Sequence, residues 1–266
     1  MKSFTTRLKE RIESSQSWLC VGLDITPEGM GQKDASFKDV KQHAKMVIDA
    51  TKDLAAAYKP NLAFFERWGI AGFEWLIEVI EQIGEGPVII GDAKRGDIGN
   101  TAKQYAKSMF DYFRFDAVTV NPYMGVDSIA PFIERAQYGA FVLARTSNKS
   151  AANYQNHEKL GNPVYISVAK DCQGLNSNDN VGLVIGATAP EELKKIRKVA
   201  PDLPLLIPGV GTQGGDLKTS IKIGNYSGPA IINVSRGISF AGDHSPDAVR
   251  KAAEDYVSEM RGFMNE

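Results

Sequence analysis

The segment Asp92-Ala-Lys94-Arg-Gly-Asp97 places a lysine between two carboxylates at the end of an apolar run. Such a run is typical of a buried strand, and alternate residues of a strand face the same side. We therefore predict that Val88, Ile90, Asp92 and Lys94 share one face. Because neighbouring carboxylates favour the ammonium form of a lysine, this pattern predicts a lasting positive charge at the end of the strand.

Two more charged residues lie at matching positions of other predicted strands. Asp24 ends the first strand, and Lys59 lies in the second. Charges that converge at one place are costly to desolvate unless they pair with one another. A salt-bridge network that merely seals the structure would explain an isolated Asp-x-Lys. Charged groups at the ends of three strands favour a functional site instead.

A glycine-rich segment, Pro208-Gly-Val-Gly-Thr-Gln213-Gly-Gly, follows a later apolar run, and Arg236 ends the next one. Glycines let the backbone approach a ligand, so that free N–H groups can donate to its oxygens. An arginine can bind a phosphate with two parallel hydrogen bonds. The two segments together predict a phosphate site.

These motifs resemble the orotidine 5′-phosphate decarboxylase family. The family signature is Asp-x-Lys-x-x-Asp, which matches Asp92, Lys94 and Asp97 here. It is completed by Ile98 and Thr101 and preceded by a strand-end lysine, Lys59. The sequence of this segment, Asp-Ala-Lys-Arg-Gly-Asp-Ile-Gly-Asn-Thr, is similar to that of the same segment in the longer type 2 subfamily. Related barrels that act on sugar phosphates share Asp-x-Lys-x-x-Asp, so that motif alone indicates only the superfamily.

The resemblance extends from Asp24 to Gly237. The glycine-rich segment is similar to the family's phosphate loop, and Arg236 matches its phosphate arginine, although Ser235 precedes it where glycine is frequent. Thr146-Ser147-Asn148 matches the turn that meets the pyrimidine, but Lys149 follows where proline is expected.

The resemblance implies conversion of orotidine monophosphate to UMP with no cofactor and no metal. Lys94 would stabilise a carbanion at C6 and protonate it, and Asp92 would lie beside the departing carboxylate. Lys59 would orient Asp92 and contact the ribose. Asp97 and Thr101 would reach the neighbouring subunit's site, which implies a homodimer. The remaining substrate contacts implied are Asp24 at a ribose hydroxyl, Ser147 at the pyrimidine, Gln213 and Arg236 at the phosphate, and Ile98, Pro208 and Gly237.

Strands and helices alternate along the chain. Near-continuous apolar runs predict eight parallel strands covered on both faces, at Trp18–Asp24, Ala56–Glu66, Gly86–Lys94, Ala117–Pro122, Ala140–Thr146, Val181–Thr188, Pro204–Gly211 and Ala230–Arg236. Helical spacing predicts helices at Met1–Ser15, Phe37–Leu54, Phe73–Ile83, Asn100–Phe113, Val126–Gln137, Val164–Asp171, Glu191–Val199, Asp216–Ile223 and Pro246–Met264. Count and length favour a closed (β/α)8 TIM barrel over an open sheet.

Two long polar stretches, Thr26–Ser36 and Ser147–Gly161, follow strands. Both are therefore expected on the barrel's C-terminal face, where the active sites of such barrels lie. We expect one domain over residues 1–266, because no linker divides the chain. The histidines His43, His157 and His244 are predicted to be surface or cap residues. Arg197 and Lys198 are predicted to lie on a solvated helix face.

The composition excludes several classes of protein. The 266 residues are 43% apolar and 24% charged, which is typical of globular proteins. A net charge of −1 gives no general attraction to nucleic acid or anionic lipid. Cys20 and Cys172 are too few for a disulfide framework, and Cys20 is predicted to be a buried thiol. With no apolar run of about 18 residues and no secretory signal in the first 15, a cytoplasmic protein is expected.

Two other functions remain open from the sequence. A metal-dependent sugar-phosphate decarboxylase or aldolase would need further carboxylates near Asp92 to hold Mg²⁺, but Pro60 and Gly91 flank Lys59 and Asp92. A non-catalytic nucleotide-binding barrel is the other alternative, and the full Lys–Asp–Lys–Asp set argues against it.

Overall fold

Eight parallel strands close into a barrel in a computed structural model that describes residues 1–159, 161–211 and 214–266. The strands pair in chain order, and the last pairs with the first. They are β1 (Leu19–Leu23), β2 (Ala57–Pro60), β3 (Val88–Arg95), β4 (Ala117–Val120), β5 (Gly139–Arg145), β6 (Val181–Ile185), β7 (Leu205–Pro208) and β8 (Ala230–Val234). The predicted TIM barrel is thereby confirmed.

Helices surround the barrel. They are α1 (Phe4–Ser15), α2 (Phe37–Thr51), α3 (Leu62–Glu66), α4 (Gly69–Ile83), α5 (Gly99–Lys107), α6 (Ala130–Ile133), α7 (Ala152–Gln155), α8 (Val164–Leu175), α9 (Pro190–Val199), α10 (Leu217–Gly224), α11 (Arg236–Ser239) and α12 (Pro246–Asn265). Side-chain caps begin several of them: Ser36 and Asp39 form a capping box at α2. Ser245 accepts from the Ala248 N–H before α12. None of the described helices is long and apolar enough to cross a membrane.

The N-terminal helix packs against one set of the strands' side chains. Phe4, Leu8 and Ile12 recur at spacings of four, so they form one stripe of α1. This stripe is buried in an apolar cluster with residues of the strands, among them Val88 and Ile90. The ring of Phe4 meets the ring of Phe141 edge-on at 5.7 Å. A larger cluster joins the strands to the surrounding helices.

Two predicted elements differ from the structure. The second apolar run ends as strand at Pro60, and Leu62–Glu66 is helix α3, because the Asn61 side chain accepts from the Ala63 N–H and caps a new turn. Val126–Gln137 holds only a 3₁₀ turn and the single turn of α6. The described residues of the polar stretch Ser147–Gly161 include a 3₁₀ turn, α7 and the strand Glu158–Lys159, which pairs antiparallel with Asn162–Pro163. Short apolar runs do not distinguish buried helix from strand.

Two predictions about charged side chains were wrong. Arg197 is buried, because its guanidinium donates to the backbone carbonyls of Ala200, Pro201, Leu203, Gly224, Gly228 and Pro229. His43 is also buried, and its Nε2 lies 2.6 Å from the Ser239 carbonyl oxygen. Cys20 is a buried free thiol, as predicted.

Candidate active site

A cavity of about 830 Å³ lies at the C-terminal ends of the barrel strands. The predicted residues that line it are Asp24, Lys59, Asp92, Lys94, Ser147, Pro208 and Arg236. They come from β1, β2, β3, β5, β7 and β8 or from the residues that directly follow these strands. Parallel strands of a closed barrel all end on the same face, which explains how side chains distant in sequence meet there.

Lys59, Asp92 and Lys94 form a row in which the carboxylate lies between two ammonium groups. Lys59 Nζ donates to Asp92 Oδ2 at 2.8 Å, and Lys94 Nζ donates to Asp92 Oδ1 at 2.6 Å. The Lys59 side chain is only 5% exposed, whereas that of Lys94 is 51% exposed. The row therefore runs from the barrel wall to an ammonium group that a ligand can reach.

The buried part of this row is held in its charged form. Burial by itself would raise the pKa of the Asp92 carboxyl, but the charges of Lys59 and Lys94 hold that pKa well below its usual range. Burial would lower the pKa of Lys59, but attraction to Asp92 and Asp24 raises it instead. At neutral pH Asp92 is therefore an anion and Lys59 a cation.

The end of β3 does not follow the simple two-residue alternation of a strand. Gly91 pairs with Val118 of β4 and Arg95 pairs with Val120, so three residues of β3 face the single residue Thr119. Within this bulge Lys94 adopts a φ of 46°. Bulges re-aim side chains, and this one brings Lys94 to the same cavity as Asp92.

Asp24 is placed to receive a donor from a ligand. It follows β1 and lines the cavity. Its Oδ1 is buried and has no hydrogen-bond partner among the described residues. A buried carboxylate oxygen without a donor is costly, and a ligand hydroxyl in the cavity would supply one.

The glycine-rich segment after β7 turns sharply. Gly209 and Gly211 have φ values of 99° and 76°, a region that other residues rarely adopt. Arg236 begins the short helix α11 and lines the cavity. Gly237 is not among the lining residues, and a Cβ there would lie 2.9 Å from the Tyr256 hydroxyl. The predicted contact Gln213 lies outside the described residues.

Ser147 lies after β5 and lines the cavity, as do its neighbours Thr146 and Asn148. The Thr146 hydroxyl donates to Asn148 Oδ1 at 2.7 Å, and the Thr146 N–H donates to Gln155 Oε1 at 2.8 Å. The first bond lies within the polar turn and the second ties the turn to α7, so the turn presents a defined set of hydroxyl and amide groups.

The single chain does not bring Asp97, Ile98 and Thr101 into the cavity. None of the three is among the lining residues. Ile98 is 48% exposed and Thr101 is exposed on α5. The Asp97 carboxylate accepts a hydrogen bond from the Ile98 N–H.

Several polar lining residues were not predicted, among them Asn61, Thr119 and Asn233. Thr119 and Asn233 are buried near the ends of strands β4 and β8. The signal in the sequence was a single polar residue within an otherwise apolar strand. Within the described parts of the chain, no group of three or more His, Cys, Asp or Glu side chains is placed to hold a metal ion.

Comparison with known proteins identifies the family. A family model described as orotidine 5′-phosphate decarboxylase / HUMPS matches residues 17–252. The orotidine 5′-phosphate decarboxylases of Halorubrum lacusprofundi and Natronomonas pharaonis are 45% and 46% identical, over 91% and 92% of this chain and 90% and 91% of theirs. The solved OMP decarboxylase of Leishmania donovani superposes with a TM-score of 0.88, at 38% identity over 99% of both chains. The chain belongs to the orotidine 5′-phosphate decarboxylase family.

Proposed function

We propose that this chain decarboxylates orotidine 5′-phosphate to UMP, the activity of its family, with its own side chains and no cofactor. The observation that carries the proposal is the row Lys59–Asp92–Lys94, which ends in an accessible ammonium group inside the cavity. That arrangement suits a reaction in which negative charge develops on a ligand carbon.

The reaction requires stabilisation of a carbanion. The bond between C6 of the pyrimidine and its carboxylate breaks, CO₂ leaves, and the electron pair stays on C6 in the plane of the ring. The ring's π system cannot delocalise that pair. Lys94 stabilises it electrostatically and then transfers a proton from Nζ to C6, which gives UMP.

Asp92 and Lys59 have supporting roles in this proposal. Asp92 lies beside the departing carboxylate and fixes the Lys94 ammonium through its 2.6 Å hydrogen bond. Lys59 holds the other oxygen of Asp92 at 2.8 Å, so the carboxylate has one defined orientation. Lys59 also contacts the ribose.

The rest of the cavity binds the nucleotide. Asp24 accepts from a ribose hydroxyl, which would satisfy its buried oxygen. Ser147 reads the pyrimidine. The phosphate lies where the segment after β7 meets α11, with contacts from Pro208, Gln213, Arg236 and Gly237. Binding energy gained at this distant end can lower the barrier at C6.

We infer that two copies of the chain form a homodimer in which Asp97, Ile98 and Thr101 complete the neighbouring site. Exposed apolar side chains in the loops after β3 and β4 support an interface there: Ile98 is 48%, Tyr123 88%, Met124 48% and Val126 49% exposed. A partner on this face would cover them.

Three further inferences complete the proposal. The chain belongs to the type 2 subfamily, a proposal supported by the similarity of its segment Asp92–Thr101 to that subfamily. The chain acts as one domain over residues 1–266. Its two thiols are both free, which agrees with a cytoplasmic location.

The test replaces the proposed proton donor. The variant Lys94→Ala should lose decarboxylation yet still bind UMP, because the phosphate and ribose contacts stay intact. Turnover is followed by the absorbance change of orotidine monophosphate, and UMP binding by calorimetry. Lys194→Ala, a change at an exposed lysine of α9, is the matched control. Turnover of Lys94→Ala within about tenfold of the unmodified protein, a difference of about 1.4 kcal/mol in the barrier, would contradict this role of Lys94.

A further inference from the structure

We propose that Thr119 is a positioning residue for the decarboxylation, because its hydroxyl holds Lys94 and Asp92 in their relative geometry. This inference rests on the roles proposed above for those two residues. Thr119 lies in β4 and is 1% exposed, yet its side chain lines the active-site cavity.

Thr119 differs from the other residues of β4 because it lies opposite the bulge in β3. Three residues of β3 face Thr119 alone, so the ordinary ladder of backbone hydrogen bonds is interrupted there. The N–H of Lys94 instead donates to the Thr119 hydroxyl oxygen at 2.9 Å. A side chain thus replaces a backbone acceptor at the point where the strand is interrupted.

The same hydroxyl also orients the Asp92 carboxylate. The Thr119 Oγ1 donates to Asp92 Oδ1 at 2.9 Å, and that oxygen also accepts from Lys94 Nζ at 2.6 Å. Because a hydroxyl donates one hydrogen bond and accepts others, Thr119 can serve the Lys94 N–H and the Asp92 oxygen at once. A closed loop of three hydrogen bonds then fixes both the backbone and the ammonium of Lys94.

This loop matters because the backbone of Lys94 is strained. A φ of 46° costs a lysine about 1–2 kcal/mol relative to ordinary backbone. Without the hydroxyl acceptor the Lys94 N–H would lose this part-buried hydrogen bond, and a relaxed φ would move the side chain. A shift of about 1 Å in a reacting group can slow catalysis about 100-fold.

The test compares Thr119→Val, which keeps the shape but removes the hydroxyl, with Thr119→Ser, which keeps the hydroxyl. We expect the kcat of Thr119→Val to fall about 10- to 100-fold. Its KM and UMP affinity should stay within about threefold, since the Thr119 hydroxyl bonds Lys94 and Asp92 and not the residues proposed to bind the phosphate and the ribose. Thr119→Ser should recover kcat to within about threefold of the unmodified protein, since the hydroxyl is restored.

A matched control separates this role from a loss of stability. Thr51 is also a buried threonine, whose hydroxyl lies 2.7 Å from both the Val47 carbonyl and the Tyr58 hydroxyl, outside the cavity. Thr51→Val should lower the thermal midpoint and leave kcat unchanged. If Thr119→Val fails to fold, Thr119→Ala, which also lacks the hydroxyl, is compared with Thr119→Ser instead.

Three results would overturn the proposal. They are a folded Thr119→Val with kcat within about threefold, a Thr119→Ser as impaired as Thr119→Val, and a loss of UMP affinity equal to the loss of kcat. Lys94→Ala is assayed in parallel. If Lys94→Ala is active, the function proposed for Lys94 fails; if it is inactive and Thr119→Val is unaffected, only the role of Thr119 fails.

Discussion

Lys94 reaches the cavity from a backbone conformation that lysine rarely adopts. The cost of its φ of 46° is offset by contacts that Asp92 and Thr119 provide. Strain of this kind is expected where a side chain must be aimed rather than merely packed. The buried part of the row is also sensitive to substitution, because removal of Asp92 would leave the buried Lys59 ammonium without this hydrogen-bond partner.

His43 is a second residue whose chemistry depends on its surroundings. Its ring lies 5.5 Å from that of Phe240, which lines the cavity, and 6.1 Å from that of His244. Burial lowers the pKa of His43, and its hydrogen bond with the Ser239 carbonyl only partly opposes that shift. Ser239 is the last residue of α11, the helix that begins with Arg236.

We predict that His43 makes the protein less stable in mild acid. Since its folded pKa lies below the unfolded value of about 6.5, the unfolded chain binds more protons in that window. The free energy of unfolding must therefore fall as pH drops below about 6.5. The free energy of unfolding is measured by urea denaturation at neutral pH and near pH 5. Its decrease between the two should be smaller for His43→Gln, whose amide can still donate to the Ser239 carbonyl, than for the unmodified protein. His157→Gln, at an exposed histidine, should match the unmodified protein. If the free energy of unfolding of His43→Gln falls between neutral pH and pH 5 by as much as that of the unmodified protein, His43 is not the cause of the instability in acid.

At the scale of elements, Arg197 joins α9 to the connections around α10 and β8. Its guanidinium satisfies six backbone carbonyls that would otherwise be buried without donors. A lysine has a single nitrogen with three donors and cannot span this set. The arginine thus acts as a cross-link between elements that are separate in sequence.

We predict that Arg197→Lys lowers the free energy of unfolding by about 2–4 kcal/mol, because several buried carbonyls lose their donors. Lys198→Gln, at the exposed neighbouring position, should change it by less than about 0.5 kcal/mol. Urea denaturation followed by circular dichroism measures both. Equal stabilities of the two variants would show that water replaces the guanidinium at little cost.

The elements with a strong pattern could be predicted from the sequence. All eight barrel strands lie within or beside the predicted apolar runs, because strands buried on both faces need continuous apolar residues. The helix over Leu62–Glu66 could not, since its start depends on a cap from Asn61 rather than on periodicity. The burial of Arg197 could not either, since its partners are backbone carbonyls that leave no trace in composition.

The site was predictable to a similar degree. Strand-end charges such as Asp24, Lys59 and Asp92 line the cavity, because closure of a barrel brings all strand ends to one face. Thr119 was missed because its role arises from a bulge, which depends on the register between β3 and β4. Register is a property of the assembled sheet, not of either strand alone.

At the scale of the whole molecule, the single chain leaves Asp97 and Thr101 outside the cavity that they are proposed to serve. In the homodimer that we propose, each of them contributes to the partner's site. In that arrangement each active site draws Lys94 from one chain and Asp97 from the other. Activity then depends on association as well as on folding.

We predict that two inactive variants restore activity when their subunits exchange. Lys94→Ala and Asp97→Ala homodimers should each be nearly inactive. A hybrid dimer has one site with both lesions and one with neither. Statistical exchange makes about half of the dimers hybrid, so about a quarter of full activity should return. Background activity after exchange has been verified by mass spectrometry would place Asp97 in its own chain's site.

In the proposed reaction the chain decarboxylates orotidine 5′-phosphate with its own side chains alone. The most direct measurement is the turnover of orotidine monophosphate by purified protein after exhaustive dialysis against EDTA, before and after addition of Mg²⁺. The row Lys59–Asp92–Lys94 predicts undiminished formation of UMP in EDTA and no stimulation by Mg²⁺, because Lys94 supplies the positive charge at C6. Loss of turnover on chelation, with recovery on addition of Mg²⁺, would contradict the claim and favour a metal-dependent reaction on the same barrel.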